Sequence, residues 1–510
     1  MNGLDQRACR RPLSLLLSTA LALTLPACAS TADRPGLAAV DPTRCDDAPA
    51  CAEAYADRIG KIDDAGPTLN AVIAYDRNAA AKAAAVDPGT LLAGRTVLVK
   101  DNIETREWPT TAGSLALKDN ATGRDAPLIA RLRNAGGVVL GKTNLSEWAN
   151  IRSFRSISGW SAVGGMTRNP HLTGRNACGS SSGSGAAVAA SLAWAAIGTE
   201  TDGSITCPAS VNGVVGLKPT VGMVSRTHVV PISHSQDTAG PMTRAVQDAA
   251  LLLAAIAGSD PADPATAAAD THIAGLADDL SGASLSGVRI GVMRNQVGNN
   301  PDVSALFDQA LRDMKTAGAV LVDVDYDAPE ALGEAEFTVL LHELRSDMNA
   351  YLMGSPADIP VRSLAEVIAF NKKHADTEMA LFDQSIFEEA ETSTDDTALA
   401  EARSTSLRLA YDEGLARLLA ENDVSLLVAP TAGPAWLTDT VLRDNFADGI
   451  GIGNLAAIAG TPHLTVPMGH VRGLPVGLSF LGNRWQDRRV LEAGAAYERA
   501  RSAELAEVAF

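Results

Sequence analysis

Positive charge is the first thing this chain is short of. Its 510 residues carry 42 lysines and arginines against 60 aspartates and glutamates, a formal net charge of −18. A surface of that sign repels phosphate backbones, whose binding rests on clusters of Lys and Arg, so no nucleic acid partner is expected. The six cysteines contain no CxxC pair and the histidines do not cluster, which argues against a zinc site. No internal repeat and no clear linker follow residue 50. Hydrophobic residues make up 46% and charged residues 20%, as in ordinary soluble globular proteins.

The N-terminus has its own pattern. "MNGLDQRACRR" carries three arginines, and an apolar run follows from Leu13 to Leu25. That run is too short to cross a bilayer as a permanent helix, but it has the length of a signal-peptide core. Two readings of its end stay open: cleavage at Ala27-Cys28-Ala29, or a lipoprotein box, Leu25-Pro26-Ala27-Cys28, with lipid on Cys28. Arg10-Arg11 also permits twin-arginine export. Residues 1–28 therefore read as a signal, 29–50 as a linker and 51–510 as one domain, exported and periplasmic, with a lipid anchor the alternative to a soluble form. Cys45 and Cys51 stand close enough in sequence to close a small disulfide loop in an oxidising compartment, or to remain two free thiols.

Along the domain, amphipathic helix patterns at 51–64 and 76–86 precede "TVLVKDN" (96–102), a short apolar run that reads as a buried strand entering a loop. "LIARLRNAG" then "GVVLGKTN" reads as helix, glycine stop, strand, turn. Ala186 to Ile197, dense in Ala and Val, reads as a buried helix. "VRIGVM", "VSALFDQALRDMKTAG" and "AVLVDVDY" repeat a β-α-β rhythm, 330–420 is helical in pattern, and "VSLLVAP", "HLTVPMG" and "LPVGLSFLG" return to strands. One large α/β domain, a mixed sheet covered by helices, is the expected fold.

Seven serines lie between Gly179 and Ser210, with no histidine or lysine among them. A hydroxyl is a poor nucleophile until a base takes its proton. Three readings compete. "CGSSSGSGAA" offers backbone N–H groups to a phosphate but lacks the Gly-Lys-Ser/Thr of a P-loop. Gly179-Ser180-Ser181-Ser182-Gly183 satisfies G-x-S-x-G with Ser181 central, but that chemistry needs a downstream histidine, and none of those present sits in a telling context. The third reading needs no histidine: a lysine kept neutral by burial is the base and a second serine passes the proton. Its elements are Lys100, one serine of "CGSSSG" and Ser204 of "TDGSITCPAS".

At these residues the sequence resembles the amidase signature family. "LVKDNIETREWPTTAGSLAL" (98–117), "AGGVVLGKTNLSEWAN" (135–150) and the long block from Cys178 to Arg226 appear in the family's order, followed by "PISHSQDTAGPM" and "NLAAIAGTPHLTVPMG". The resemblance spans about residues 50–500. It implies hydrolysis of an amide through an acyl-enzyme, with Lys100 as base, Ser180 as bridging serine after a cis Gly179–Ser180 peptide, and Ser204 as nucleophile. The backbone N–H groups of Thr201, Asp202, Gly203 and Ser204 are the implied oxyanion hole. No cofactor or metal is implied, and the expected partner is a peptide or small-molecule amide. No pattern demands assembly, so a monomer without an obligate protein partner is expected.

Three positions depart from the common family pattern: Asp202 and Ser182 stand where many members have glycine, and Thr206 where many have arginine. With "LSEWAN" and "SISGW", these variants look most like the bacterial peptide amidase branch, whose members remove C-terminal amides of peptides as ammonia. A small or aryl amide, or a catalytically inactive binding module of the same fold, are the alternatives. Trp148, Trp160 and Trp194 are candidate walls for a peptide pocket.

Overall fold

Short runs of aliphatic residues flanked by Gly, Pro, Asn or Asp become the strands of one large sheet. The computed structural model describes residues 47–445, 449–452, 454–508 and 510. The signal, cleavage and lipidation readings, with Cys9, Cys28 and Cys45, lie outside the described residues. In chain order the sheet strands are β1 (Val72–Tyr75), β2 (Thr96–Lys100), β3 (Val138–Thr143), β4 (Ala195–Glu200), β5 (Val215–Lys218), β6 (Thr238–Thr243), β7 (Arg289–Val292), β8 (Val320–Asp323), β9 (Leu426–Pro430), β10 (His463–Val471) and β11 (Leu474–Leu481). Across the sheet they run β1-β3-β2-β4-β6-β5-β10-β11-β9-β7-β8. β2 is parallel to β3 and β4, and β7 to β8 and β9. The other neighbours pair antiparallel.

Every residue of β2, β3, β4 and β11 is buried. A strand covered on both faces reads as an unbroken apolar run, not an alternating one. The helices used below are α1 (Ala48–Arg58), α2 (Ala79–Ala84), α3 (Pro127–Asn134), α4 (Ser182–Ala189), α5 (Thr206–Val211), α6 (Val246–Ile256), α7 (Pro301–Thr316), α8 (Glu330–Gly354) and α9 (Asp487–Ala500). Leu252, Leu253 and Ile256 of α6 and Val490, Leu491 and Tyr497 of α9 pack into the same core as Val97, Leu98 and Val99 of β2. Leu344, Met348 and Leu352 of α8 pack in a separate cluster with Trp148 and Phe387. The expected single α/β domain with a mixed, helix-flanked sheet is what forms.

Boundaries moved in three places. α1 starts at Ala48, inside the stretch read as linker, and gives way to a wider turn at Ile59–Asp63. The helix expected at 76–86 is the shorter α2, preceded by an unforeseen strand, β1. The helix expected over Ala186 to Ile197 is α4 only as far as Ala189. Ser191 then turns the chain at φ 56, and "AAIGTE" becomes β4. An all-apolar stretch carries no periodicity to tell a buried helix from a buried strand, so neighbouring strands decided it.

Candidate active site

β2 and β4 lie side by side and parallel, with Val99 opposite Ile197, so their carboxyl ends share one edge of the sheet. That edge is where open α/β sheets place their sites. Lys100 is the last residue of β2, and Thr199 and Glu200 end β4. Ser180 and Ser181 close the loop that launches α4, which returns the chain to the start of β4. The loop is tight: a Cβ on Gly179 would stand 2.1 Å from Ser146 Oγ, and the Gly179–Ser180 peptide is cis.

Lys100 has no exposed surface. Its Nζ lies 2.7 Å from Ser180 Oγ, 2.8 Å from Thr199 Oγ1 and 3.2 Å from Thr199 O. Asn102 Nδ2 donates to the same Thr199 Oγ1 at 3.0 Å. Burial strips the ammonium of water and lowers its pKa to about 7, while the carboxylates of Asp237 and Glu200 pull the other way. A neutral amine in this position has two N–H groups for Thr199 and a lone pair for the Ser180 hydroxyl.

Ser204 follows β4 after three loop residues, with Gly203 at φ +72. Glu200 folds this loop. Its Oε2 accepts the backbone N–H of Ile205 (2.7 Å) and Thr206 (2.9 Å) and the Thr206 hydroxyl (3.3 Å) at the start of α5. Among the described residues no protein acceptor takes the N–H groups of Asp202, Gly203 or Ser204. These residues line a pocket of about 330 Å³ whose walls include Ile151, Ile232, Leu340 and both Cys178 and Cys207. Ser204 is 9% exposed there, and its backbone carbonyl accepts Ser181 N at 3.1 Å. Thr201 is tied by its hydroxyl to Asp237 Oδ1 at 2.5 Å. The Asp202 side chain opens to the pocket with protein packed closely behind it. That packing, with Glu336 and Glu200 near, pushes its carboxyl well above the ordinary range, and Lys218 opposes them.

Lys100, Ser180, Thr201, Asp202, Gly203 and Ser204 thus all come to this edge. Lys100 and Ser180 are in direct contact, while Ser204 meets the Ser180 segment through the backbone. Ser181 is fully buried, and its Oγ donates to Thr199 O (3.1 Å) and accepts Thr199 N (3.2 Å), so it braces Lys100's partner. Among the described residues no histidine hydrogen-bonds to Ser180, Ser181 or Ser204. His463, buried against Ser479 Oγ at 2.6 Å and pushed down to about 3 by burial, is part of the sheet interior. The Gly179–Gly183 nucleophile-elbow reading is thereby set aside.

Several site residues were not legible beforehand: Thr199, Asn102, Glu200, Asp237 and a disulfide between Cys178 and Cys207, whose Cα atoms are 6.1 Å apart. The disulfide had a signal, since the two cysteines flank the serine clusters; the others are ordinary polar residues until the fold converges them. Cys51 is also disulfide-bonded. The three tryptophans do not line the pocket. Trp148 packs edge-on to Phe387 (5.7 Å), Trp160 on Phe382 (5.2 Å), and Trp194 lies in the sheet core beneath Arg95. Large aromatics are worth more to a core than to a pocket wall.

Residues 51–491 match the family model of the amidases. The crystal structure of the peptide amidase of Stenotrophomonas maltophilia is 45% identical and superposes with a TM-score of 0.83 over 91% of this chain and 96% of that one. A probable amidase of Arabidopsis thaliana is 36% identical over 471 residues, 88% of this chain and 86% of that protein. One subunit of the glutamyl-tRNA(Gln) amidotransferase of Thermus thermophilus is 34% identical over 464 residues, 88% of this chain and 93% of that protein.

Proposed function

The chain belongs to the amidase family and hydrolyses amides, and from that premise we propose that Lys100, Ser180 and Ser204 carry the reaction and that a peptide's C-terminal amide is the substrate. The single observation that carries the mechanism is the fully buried Lys100 amine 2.7 Å from Ser180 Oγ at the sheet edge that also holds Ser204. Ser204 Oγ attacks the amide carbonyl carbon as its proton passes to Ser180 Oγ and the proton of Ser180 to Lys100 Nζ. The developing oxyanion meets the unpaired N–H groups of Asp202, Gly203 and Ser204, joined by that of Thr201; one such donor is worth about 3 kcal/mol. The C–N bond then breaks and the relay returns a proton to the departing nitrogen, which leaves as ammonia. Water attacks the acyl carbon, gives its proton to the same relay, and Ser204 is released. Ser180 and Ser204 are linked through the backbone, Ser181 N donating to Ser204 O at 3.1 Å, and catalytic contacts between such hydroxyls tighten when substrate is seated.

The peptide part of the reading is supported by the likeness to a peptide amidase and by a pocket with aliphatic walls over a polar floor. Export is supported by the signal-like N-terminus and by the Cys178–Cys207 bond, which belongs to an oxidising compartment. Ammonia release from an N-acetylated dipeptide amide tests the whole. Wild type and Ser181→Ala should release it and Ser204→Ala should not. Release from simple aliphatic or aryl amides alone would overturn the substrate, and a fully active Ser204→Ala the mechanism.

A further inference from the structure

Cys178 stands two residues before Ser180 and Cys207 three residues after Ser204, so their disulfide joins the two segments that carry the hydroxyls. Between residues 178–182 and 203–207 the only other described tie is Ser181 N donating to Ser204 O at 3.1 Å. Both segments are conformationally demanding. Cys178 adopts φ +53, a left-handed conformation that costs a residue with a Cβ about 1–2 kcal/mol. Asn176 Oδ1 holds its N–H at 2.7 Å. On the other side, Cys207 N donates to Gly203 O at 2.9 Å, so Cys207 closes the turn whose amides are left unpaired. Both cysteines line the pocket of Ser204. Cys178 is 2% exposed and Cys207 half-buried, which makes Cys207 the more exposed residue of the pair.

Resting on the Lys100–Ser180–Ser204 reading, we propose that the Cys178–Cys207 disulfide is a positioning element of the reaction: it holds the two serine segments in register for proton transfer, and its reduction, reached through the substrate pocket, slows acylation of a protein that remains folded. The small separation the relay demands is what makes this consequential, since a displacement of about 1 Å in a catalytic group costs up to about 100-fold in rate.

The test reduces the native enzyme with a water-soluble phosphine. The phosphine attacks Cys207 Sγ and the S–S bond breaks. Water then converts the thiophosphonium to phosphine oxide, leaving two thiols: phosphorus loses the two electrons that sulfur gains. Alkylation and peptide mass mapping separate this bond from the one at Cys51. Three readouts follow: the rate at which a fluorophosphonate labels Ser204, kcat and KM on a peptide amide, and near-UV circular dichroism. Expected are a fall of about tenfold or more in labelling rate and kcat, a change in KM below about threefold, a native dichroism spectrum and recovery on reoxidation. A peptide amide at saturation should retard the reduction. Cys178→Ser/Cys207→Ser should behave like the reduced enzyme; if it does not fold, the phosphine arm on native protein decides. A reduced, natively folded enzyme that labels Ser204 at the unreduced rate overturns the proposal, as does a disulfide that resists the phosphine until the protein unfolds. Absence of any label on Ser204 in the untreated enzyme would instead overturn the relay itself.

Discussion

Raising the pH from 6 to 8 takes a lysine that titrates at about 7 from roughly one-tenth to nine-tenths neutral. If neutral Lys100 is the base, kcat/KM rises about tenfold across that window and is flat above it. A lysine at its ordinary value would be neutral in only about three molecules in ten thousand at pH 7, and its rate would still climb about tenfold per unit through pH 9. The difference between the two values is worth about 5 kcal/mol. It comes from burial and is partly offset by Asp237 and Glu200. Asp237→Asn removes one of those anions, so the midpoint should move down. The assay is kcat/KM for an N-acetylated dipeptide amide, which has no titrating group of its own, from pH 5 to 10 at fixed ionic strength. Stability follows the same lysine. The unfolded chain binds its proton below about pH 10.5 and the folded one only below about 7, so this residue's penalty is full below pH 7 and is relieved as pH rises toward 10.5. Lys100→Met should abolish turnover yet raise the denaturation midpoint near neutral pH. It removes about 4–5 kcal/mol of penalty and loses hydrogen bonds worth about 1 kcal/mol each. A rate profile flat between pH 6 and 8, or one still rising tenfold per unit above 9, would refute the reasoning.

Glu200→Ala orphans two buried N–H groups and should cost about 2–5 kcal/mol by chemical denaturation; Glu200→Gln, which keeps an acceptor oxygen, should cost less. Ser181→Ala should retain the fluorophosphonate label on Ser204 while ammonia release falls in part, because only the brace on Thr199 is lost. Removing the Cys178–Cys207 bond, which closes a loop of separation 29, should lower stability by about 3–4 kcal/mol, read as a shift in urea midpoint. Asp101→Asn should be more severe than its conservative form suggests. Lys142 Nζ lies 2.9 Å from Asp101 Oδ1 with both side chains fully buried, and breaking such a pair costs about 3–5 kcal/mol, visible as lost soluble expression.

Two kinds of information separate in this protein. Strand and helix patterns and the motif order from Lys100 through Ser204 were readable along the chain, because each depends on local composition or on a short ordered motif. The cis peptide at Gly179–Ser180 was implied by the family resemblance those motifs carry. The same local signals failed where composition is uniform. "AAVAASLAWAAI" carries no period, and only hydrogen bonding to β2 and β6 made its second half a strand. Had that stretch stayed helical, Thr199 would not stand beside Lys100. β6, "TAGPMT", with Gly240 and Pro241 inside it, has no strand signature and owes its state to β4 and β5 on either side.

What the sequence alone determined is the set of chemically able groups and the order in which they come: a lysine at the end of an apolar run, serines in glycine-rich loops, two cysteines flanking them. The tertiary structure decided the surroundings in which those groups stand. It withdrew Lys100 from water and so lowered its proton affinity. It locked Ser181 between the amide and carbonyl of Thr199 and left Ser204 at a pocket, and it turned Cys178 and Cys207 into a tie across the site. Burial and distance set proton affinity and reach, and both are properties of residues far apart in the chain. No local pattern can specify them.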